Sequence, residues 1–270
     1  MKNLTIIALG LILLATPAAL AQTINFGQLV VTEDVSPEER FAKKVELTAD
    51  ALKGASERVA EMHEKLEDVQ LEEETPQREL RDKLIVRTEE YGLFYEEQTA
   101  KLKEAKTIEE VDALIDGIIV YRENIYSPGA REILEFILVY SYTPSVLDLA
   151  SQRLDNIRQD VGKLEGLGLV EPDSFTTSLN EADGILQEAK DLQSQGTALL
   201  MENYAQSLLE PTATALLPST SDPAPTADLD TQTLITPKGL AEQSLTKIKT
   251  LYQLFMETGD RVNQSLGIGS

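Results

Sequence analysis

Ala130-Arg131-Glu132-Ile133-Leu134-Glu135-Phe136-Ile137-Leu138-Val139-Tyr140-Ser141-Tyr142 is the most apolar run beyond the first twenty residues, and its reading decides the fold. Coiled as a helix, it places Ile133, Phe136, Ile137 and Tyr140 on one i, i+3, i+4, i+7 stripe, with Leu134 and Leu138 on a second stripe beside it. A helix apolar around most of its circumference belongs in an interior. Each large apolar side chain buried there contributes roughly 1.5–3 kcal/mol. The residue types also suit a strand, but Arg131, Glu132 and Glu135 do not fall on one side of a two-residue alternation. Ser127-Pro128-Gly129 before the run and Thr143-Pro144 after it read as its ends. Between those prolines there are too few residues for a membrane span, which needs about 20.

Working outward, the Ser/Thr-Pro pair recurs at Ser36-Pro37, Thr75-Pro76 and Thr236-Pro237. A hydroxyl caps unpaired N–H groups, and proline suits the first helical position. Ser36-Pro37-Glu38-Glu39 completes a capping box, as does Thr107-Ile108-Glu109-Glu110. Glu171-Pro172-Asp173 marks another start.

These marks divide the chain into about seven helices: 37–72, 76–105, 107–125, 130–142, 144–166, 173–209 and 238–264. All carry apolar residues at three- and four-residue spacing. The pattern predicts an all-α, elongated bundle of antiparallel helical hairpins with coiled-coil-like packing, the domain proper spanning 36–209. Ala55-Ser56-Glu57-Arg58-Val59 aligns with Ala150-Ser151-Gln152-Arg153-Leu154 at an offset of 95 residues, as a duplicated hairpin would, although heptad-like patterns align readily by chance.

The ends differ in kind. Lys2, an apolar stretch Leu4–Ala15, Pro17 and Ala19-Leu20-Ala21 have the form of a secretory signal peptide over 1–21, cleaved before Gln22. The expected address is extracytoplasmic, periplasmic or secreted, with no integral span after cleavage. Residues 22–35 read as an extended arm with Ile24, Phe26, Leu29 and Val31. Residues 210–236 hold four prolines and seven threonines and read as a linker. It tethers a final amphipathic helix at 237–265, followed by a tail at 266–270. Leu245, Ile248, Tyr252 and Phe255 lie on one seam of that helix. They are the candidate surface for a protein partner, and removing 237–270 is expected to leave the bundle folded.

The chain has no cysteine, which excludes a disulfide framework and thiolate chemistry. Without the leader it carries 23 basic against 46 acidic residues, a formal charge of −23. Nucleic acid is an unsuitable partner for such a surface. Self-association and weak divalent-cation binding are compatible with it.

Catalytic sets are hard to assemble. His63, the one histidine, reads as a surface residue; there is no Gly-x-Ser-x-Gly elbow, no phosphate-binding Gly-rich loop and no Glu-x-x-His di-iron motif. Asp228-Leu229-Asp230 lacks the glycine and closing glutamate of a calcium loop. No cofactor is implied. Eight of the fourteen aromatic residues fall within 91–142. Core packing explains this most simply; the alternative is a ligand groove lined by Tyr91, Tyr95, Tyr121 and Tyr140. The sequence thus favours a non-catalytic, exported scaffold or interaction protein, with a ligand-binding or sensor-like bundle as alternative.

Overall fold

A computed structural model describes residues 36–209 and 235–267. The leader, the arm 22–35, nearly all of the linker and the last three residues lie outside the described residues. Among the described residues the chain is all-α, five continuous helices without a strand. The elements are α1 (Pro37–Glu67), α2 (Pro76–Glu104), α3 (Ile108–Tyr121), α4 (Ser127–Ile137), α5 (Thr143–Gly166), α6 (Thr176–Leu209) and α7 (Pro237–Ser265). Two π-helical segments, Arg122–Tyr126 and Leu138–Tyr142, join α3, α4 and α5 into one run, Ile108–Gly166.

That continuity corrects the reading of the central prolines. Pro128 and Pro144 do not end helices; each sits in the first turn after a π segment. A proline inside a helix removes one N–H, and its ring collides with the carbonyl four residues back. The wider i→i+5 turn moves that carbonyl away, as in the Ser127 N–H to Arg122 carbonyl bond. Thr143, expected to cap, instead turns its hydroxyl back onto the Leu138 carbonyl at 2.8 Å. The pattern Tyr126-Ser127-Pro128 and Tyr142-Thr143-Pro144 therefore marks a π turn within a helix. The length argument against a membrane span also falls. By length and composition the run Ile108–Gly166 holds a window able to cross one, 44% of it buried within the chain.

Elsewhere the capping logic holds. Ser36 Oγ accepts the Glu39 N–H, and the Glu39 carboxylate accepts the Ser36 N–H, both at 3.2 Å. The Thr75 and Thr236 hydroxyls cap α2 and α7 by accepting the Arg78 and Gly239 N–H groups. Thr107 accepts the Glu110 N–H, but the Glu110 carboxylate takes the N–H of Lys106, one residue before the expected partner. Helix α1 stops at Glu67, short of 72. Continuing through Glu72-Glu73-Glu74 would place three carboxylates at the negative end of the helix dipole. The chain turns there instead, with Glu74 at φ 58°.

The described residues form two compact units, divided between Ile137 and Leu138. In the first, α1 and α2 make an antiparallel hairpin, pinned by His63 against Thr88 and by Arg81 on the Val69 carbonyl. Helices α3 and α4 pack on it. Leu52, Val59, Leu66, Leu84, Ile118, Ile133 and Phe136 fill the core at 3% exposure or less. In the second unit Leu147, Leu154, Leu186, Ile248 and Leu251 bring α5, α6 and α7 together. Helix α7 runs antiparallel to α6: Gly196 faces Pro237, Ala189 faces Ser244 and Ser178 faces Arg261. A Cβ on Gly196 would lie 3.3 Å from the Pro237 carbonyl, so the small residue sets how closely the two helices approach.

The final helix is therefore the third helix of its own unit rather than an appended module. Five of the buried positions matched by the 95-residue offset, Ala55, Ala150, Val59, Leu154 and Leu66, sit on core stripes. Stripe periodicity alone accounts for that agreement.

Candidate functional site

The aromatic cluster of the first unit brings together more polar-tipped rings than any other arrangement among the described residues. Helix α2 projects Tyr91 and Tyr95 inward one turn apart, at 2% and 0% exposure. Helix α3 ends at Tyr121, and the π segment supplies Arg122 and Tyr126. The Phe94 and Tyr121 rings stack at 3.5 Å. Tyr126 stands edge-on to Tyr91 at 5.2 Å and to Tyr95 at 5.8 Å. Such edge-to-face pairs each add about 0.5–1.5 kcal/mol beyond area burial.

Two contacts tie this cluster to the π segment. The Arg122 guanidinium is buried, donates to the Tyr95 hydroxyl at 3.2 Å and lies 5.0 Å from the centre of the Tyr126 ring. The Tyr91 hydroxyl reaches the Ile125 carbonyl at 3.4 Å and fits into the notch left by Gly129, where a Cβ would stand 1.8 Å from its oxygen. Burial pushes the Tyr91 and Tyr121 phenols up to about 12; for Tyr91 the Arg87 charge works in the opposite direction. Tyr95 and Tyr126 are raised by the same desolvation, opposed by Arg122. The cluster therefore holds its phenols neutral, far from the range of a general base.

The ligand groove expected from Tyr91, Tyr95, Tyr121 and Tyr140 is not assembled. The first three come together, but with their rings against one another and against Tyr126 and Phe94. Tyr140 belongs to the second unit, where it packs beside Leu138, Val139 and Ala241. Tyr126 and Arg122, which complete the cluster, were not among the expected residues. A tyrosine and an arginine four apart beside an in-helix Ser-Pro were the available signal.

The partner seam is likewise occupied. Ile248 is 1% exposed and Phe255 8%, while Leu245 and Tyr252 are half-buried against the same core. Burial raises the Tyr252 phenol, with Arg153 opposing. An amphipathic stripe shows that a helix docks and leaves open on what; here it docks on α5 and α6. Buried polar groups fix the register: the Ser244 hydroxyl donates to the Ala189 carbonyl at 2.7 Å, and the Gln193 carboxamide donates to the Val139 carbonyl.

His63 is half-buried rather than on the open surface. The Thr88 hydroxyl donates to the Ile85 carbonyl at 2.6 Å, so its oxygen accepts from His63 Nδ1–H at 2.8 Å. Nε2 stands 3.6 Å from the Glu67 carboxylate. These are hairpin contacts. Among the described residues no group of histidine, aspartate and glutamate is arranged to hold a metal ion.

Two open clefts lie in the first unit. One, around Glu73, Thr75, Arg78 and Asp82, sits at the start of α2. The other lies between the end of α2 and the start of α3, lined by Gln98, Lys101, Glu104, Ala105, Leu114 and Gly117. No protein-family model, curated protein or solved structure matches the chain.

Proposed function

We propose that the chain is an exported, non-catalytic helical scaffold that recruits a protein partner through outward helix faces. The carrying observation is α2, which is apolar on two sides. Leu84, Tyr91, Tyr95 and Leu102 face the core, while Val86 and Leu93, seven residues apart, are 53% and 65% exposed on the other side. Glu89, Glu90, Glu96 and Glu97 flank them. A partner offering an apolar strip bordered by basic residues complements that face. With the seam of α7 engaged in its own unit, the partner surface moves from the last helix to this one. Export rests on the leader at 1–21, and periplasmic or secreted residence follows from it.

The alternative, an exported ligand-binding or sensor bundle, needs a cavity among Tyr91, Tyr95 and Tyr121, where ring packs on ring. The test is affinity capture from an envelope extract of the source cell, with the tagged chain and a Val86→Glu/Leu93→Glu variant as parallel baits. A protein recovered at near-equal amount by the first and lost by the second, with unchanged circular dichroism, supports the reading. Equal recovery by both baits, or of neither, counts against it.

A further inference from the structure

The outer face of α2 carries a repeat as well as an apolar pair. Val86 and Leu93, 53% and 65% exposed, stand seven residues apart, and the exposed Ala100 lies a further seven on. At about 100° per residue the three fall within about 40° of one another, on the opposite side of the helix from Leu84, Tyr91, Gln98 and Leu102. Glu89 and Glu96 border this stripe on one side, Glu90 and Glu97 on the other, all four exposed. The nearby cations of the helix are already engaged: Lys83 with Glu79, Arg87 with Glu132 and Lys101 with Glu97. Glu89, Glu90 and Glu96 form no ion pair among the described residues.

Spacing and charge together restrict what fits this face. Seven residues of helix advance about 10.5 Å. An extended strand presents same-face side chains about every 6.6 Å, so after meeting Val86 it is out of step at Leu93. A second helix with an apolar seam repeats at the interval of the stripe and stays in register along it, as the strands of a coiled coil do. A second copy of this chain would set the four glutamates against their own kind, which disfavours pairing. An anionic lipid surface or a nucleic acid meets the same repulsion. Lysine or arginine flanking the seam of a partner helix answers all four carboxylates.

Resting on the reading that this face recruits the partner, we propose that the element it binds is a basic amphipathic α-helix of another protein. The apolar seam of that helix lies along Val86, Leu93 and Ala100. Its lysines or arginines face Glu89 and Glu96 on one flank, Glu90 and Glu97 on the other. Burial of the stripe supplies the attraction, while the flanking charges set the register and exclude acidic helices.

Three labelled synthetic peptides of four heptads test it against the full chain, by fluorescence anisotropy at about 0.15 M salt. One has leucine at its seam positions and lysine flanking them; the second has glutamate in place of lysine. The third is the basic peptide scrambled, which keeps its charge and loses the seam. We expect the basic heptad peptide to bind at least about tenfold more tightly than either of the others. Val86→Ser/Leu93→Ser should weaken it at least about tenfold. Reversing Glu89, Glu90, Glu96 and Glu97 together to lysine should invert the order in favour of the acidic peptide. Every substituted side chain is exposed, so circular dichroism should not change in either variant. Equal binding of the basic and scrambled peptides overturns the proposal, since charge alone then accounts for it. Binding that survives Val86→Ser/Leu93→Ser overturns it as well, by placing the peptide elsewhere on an acidic surface, and so does an order that the charge reversal leaves unchanged. A protein captured through Val86 and Leu93 without any preference among the peptides would keep the recruiting face and remove the basic helix. Failure of both capture and peptide binding removes the face itself.

Discussion

Gly129→Ala is the substitution whose sign is most informative. Gly129 lies in a helix, where alanine is ordinarily better than glycine by about 1 kcal/mol. On propensity alone the variant gains stability. Its Cβ, however, would stand 1.8 Å from the Tyr91 hydroxyl oxygen, 3.1 Å from Tyr91 Cζ and 3.0 Å from Arg87 Cδ. Tyr91 is 2% exposed and held by the Tyr126 ring at 5.2 Å, so it cannot swing into solvent. Overpacking of this kind costs about 1–3 kcal/mol. We therefore expect Gly129→Ala to lower the stability of the first unit by up to about 2 kcal/mol, the overpacking cost less the propensity gain. Urea unfolding followed by circular dichroism and tyrosine emission measures it, the chain having no tryptophan. The second arm is decisive. In a Tyr91→Phe background the colliding oxygen is gone, and Gly129→Ala should become neutral or stabilising. The same destabilisation in both backgrounds, or a gain in the wild-type one, refutes the packing described for Gly129 and Tyr91.

Other expectations follow from single contacts. The Tyr91 and Tyr121 phenols are raised to about 12 from 10.0, which favours their neutral form in the fold. Their stabilising contribution is complete below pH 10 and is lost as pH rises toward 12. Absorbance at 295 nm should accordingly show a late tyrosinate phase accompanied by unfolding, and complete ionisation near pH 10 with the fold intact would contradict it. Arg122→Met leaves the buried Tyr95 hydroxyl without this donor and should cost about 1–3 kcal/mol by urea unfolding. Arg158→Ala, by contrast, breaks an exposed pair with Asp183 and should cost no more than about 1 kcal/mol. Phe255→Ala should cost the second unit about 3–5 kcal/mol. Deleting 237–270 should expose Leu147, Leu186 and Ala189 and raise dye binding, where an appended module would have come away cleanly.

The elements read correctly and those misread from sequence differ in what they depend on. Helix α1 and its cap, the seam of α7 and the inward stripe of α2 were legible, because each depends on spacing within one element. Pro128 and Pro144 were misread because the same Ser/Thr-Pro pair serves two geometries. At Ser36, Thr75 and Thr236 the hydroxyl takes up N–H groups at a true helix start. At Thr143 it bonds backward to a carbonyl inside a helix that a π turn has widened. What separates them is the preceding residues: Ile125-Tyr126 and Ser141-Tyr142 continue an apolar helical pattern, whereas Glu33-Asp34-Val35 and Glu72-Glu73-Glu74 do not.

The candidate sites show the same limit. Ile248 and Phe255 were correctly placed on one face, but no spacing rule says whether that face meets a partner or α5 and α6. Tyr91, Tyr95 and Tyr121 were correctly grouped. Tyr140, only nineteen residues beyond Tyr121, falls in another unit because the division at Ile137 and Leu138 lies inside a continuous helix, where composition does not change.

Everything said about where a partner binds depends on α7 being a core element of its own unit. Amide hydrogen exchange over the whole chain tests that most directly. Leu240 to Thr258 should show protection within the range of α5 and α6 and lose it in the same denaturant transition. Exchange of those amides at the rate of an isolated helix, with α5 and α6 still protected, would return the seam of Leu245, Ile248, Tyr252 and Phe255 to the surface and contradict the assignment.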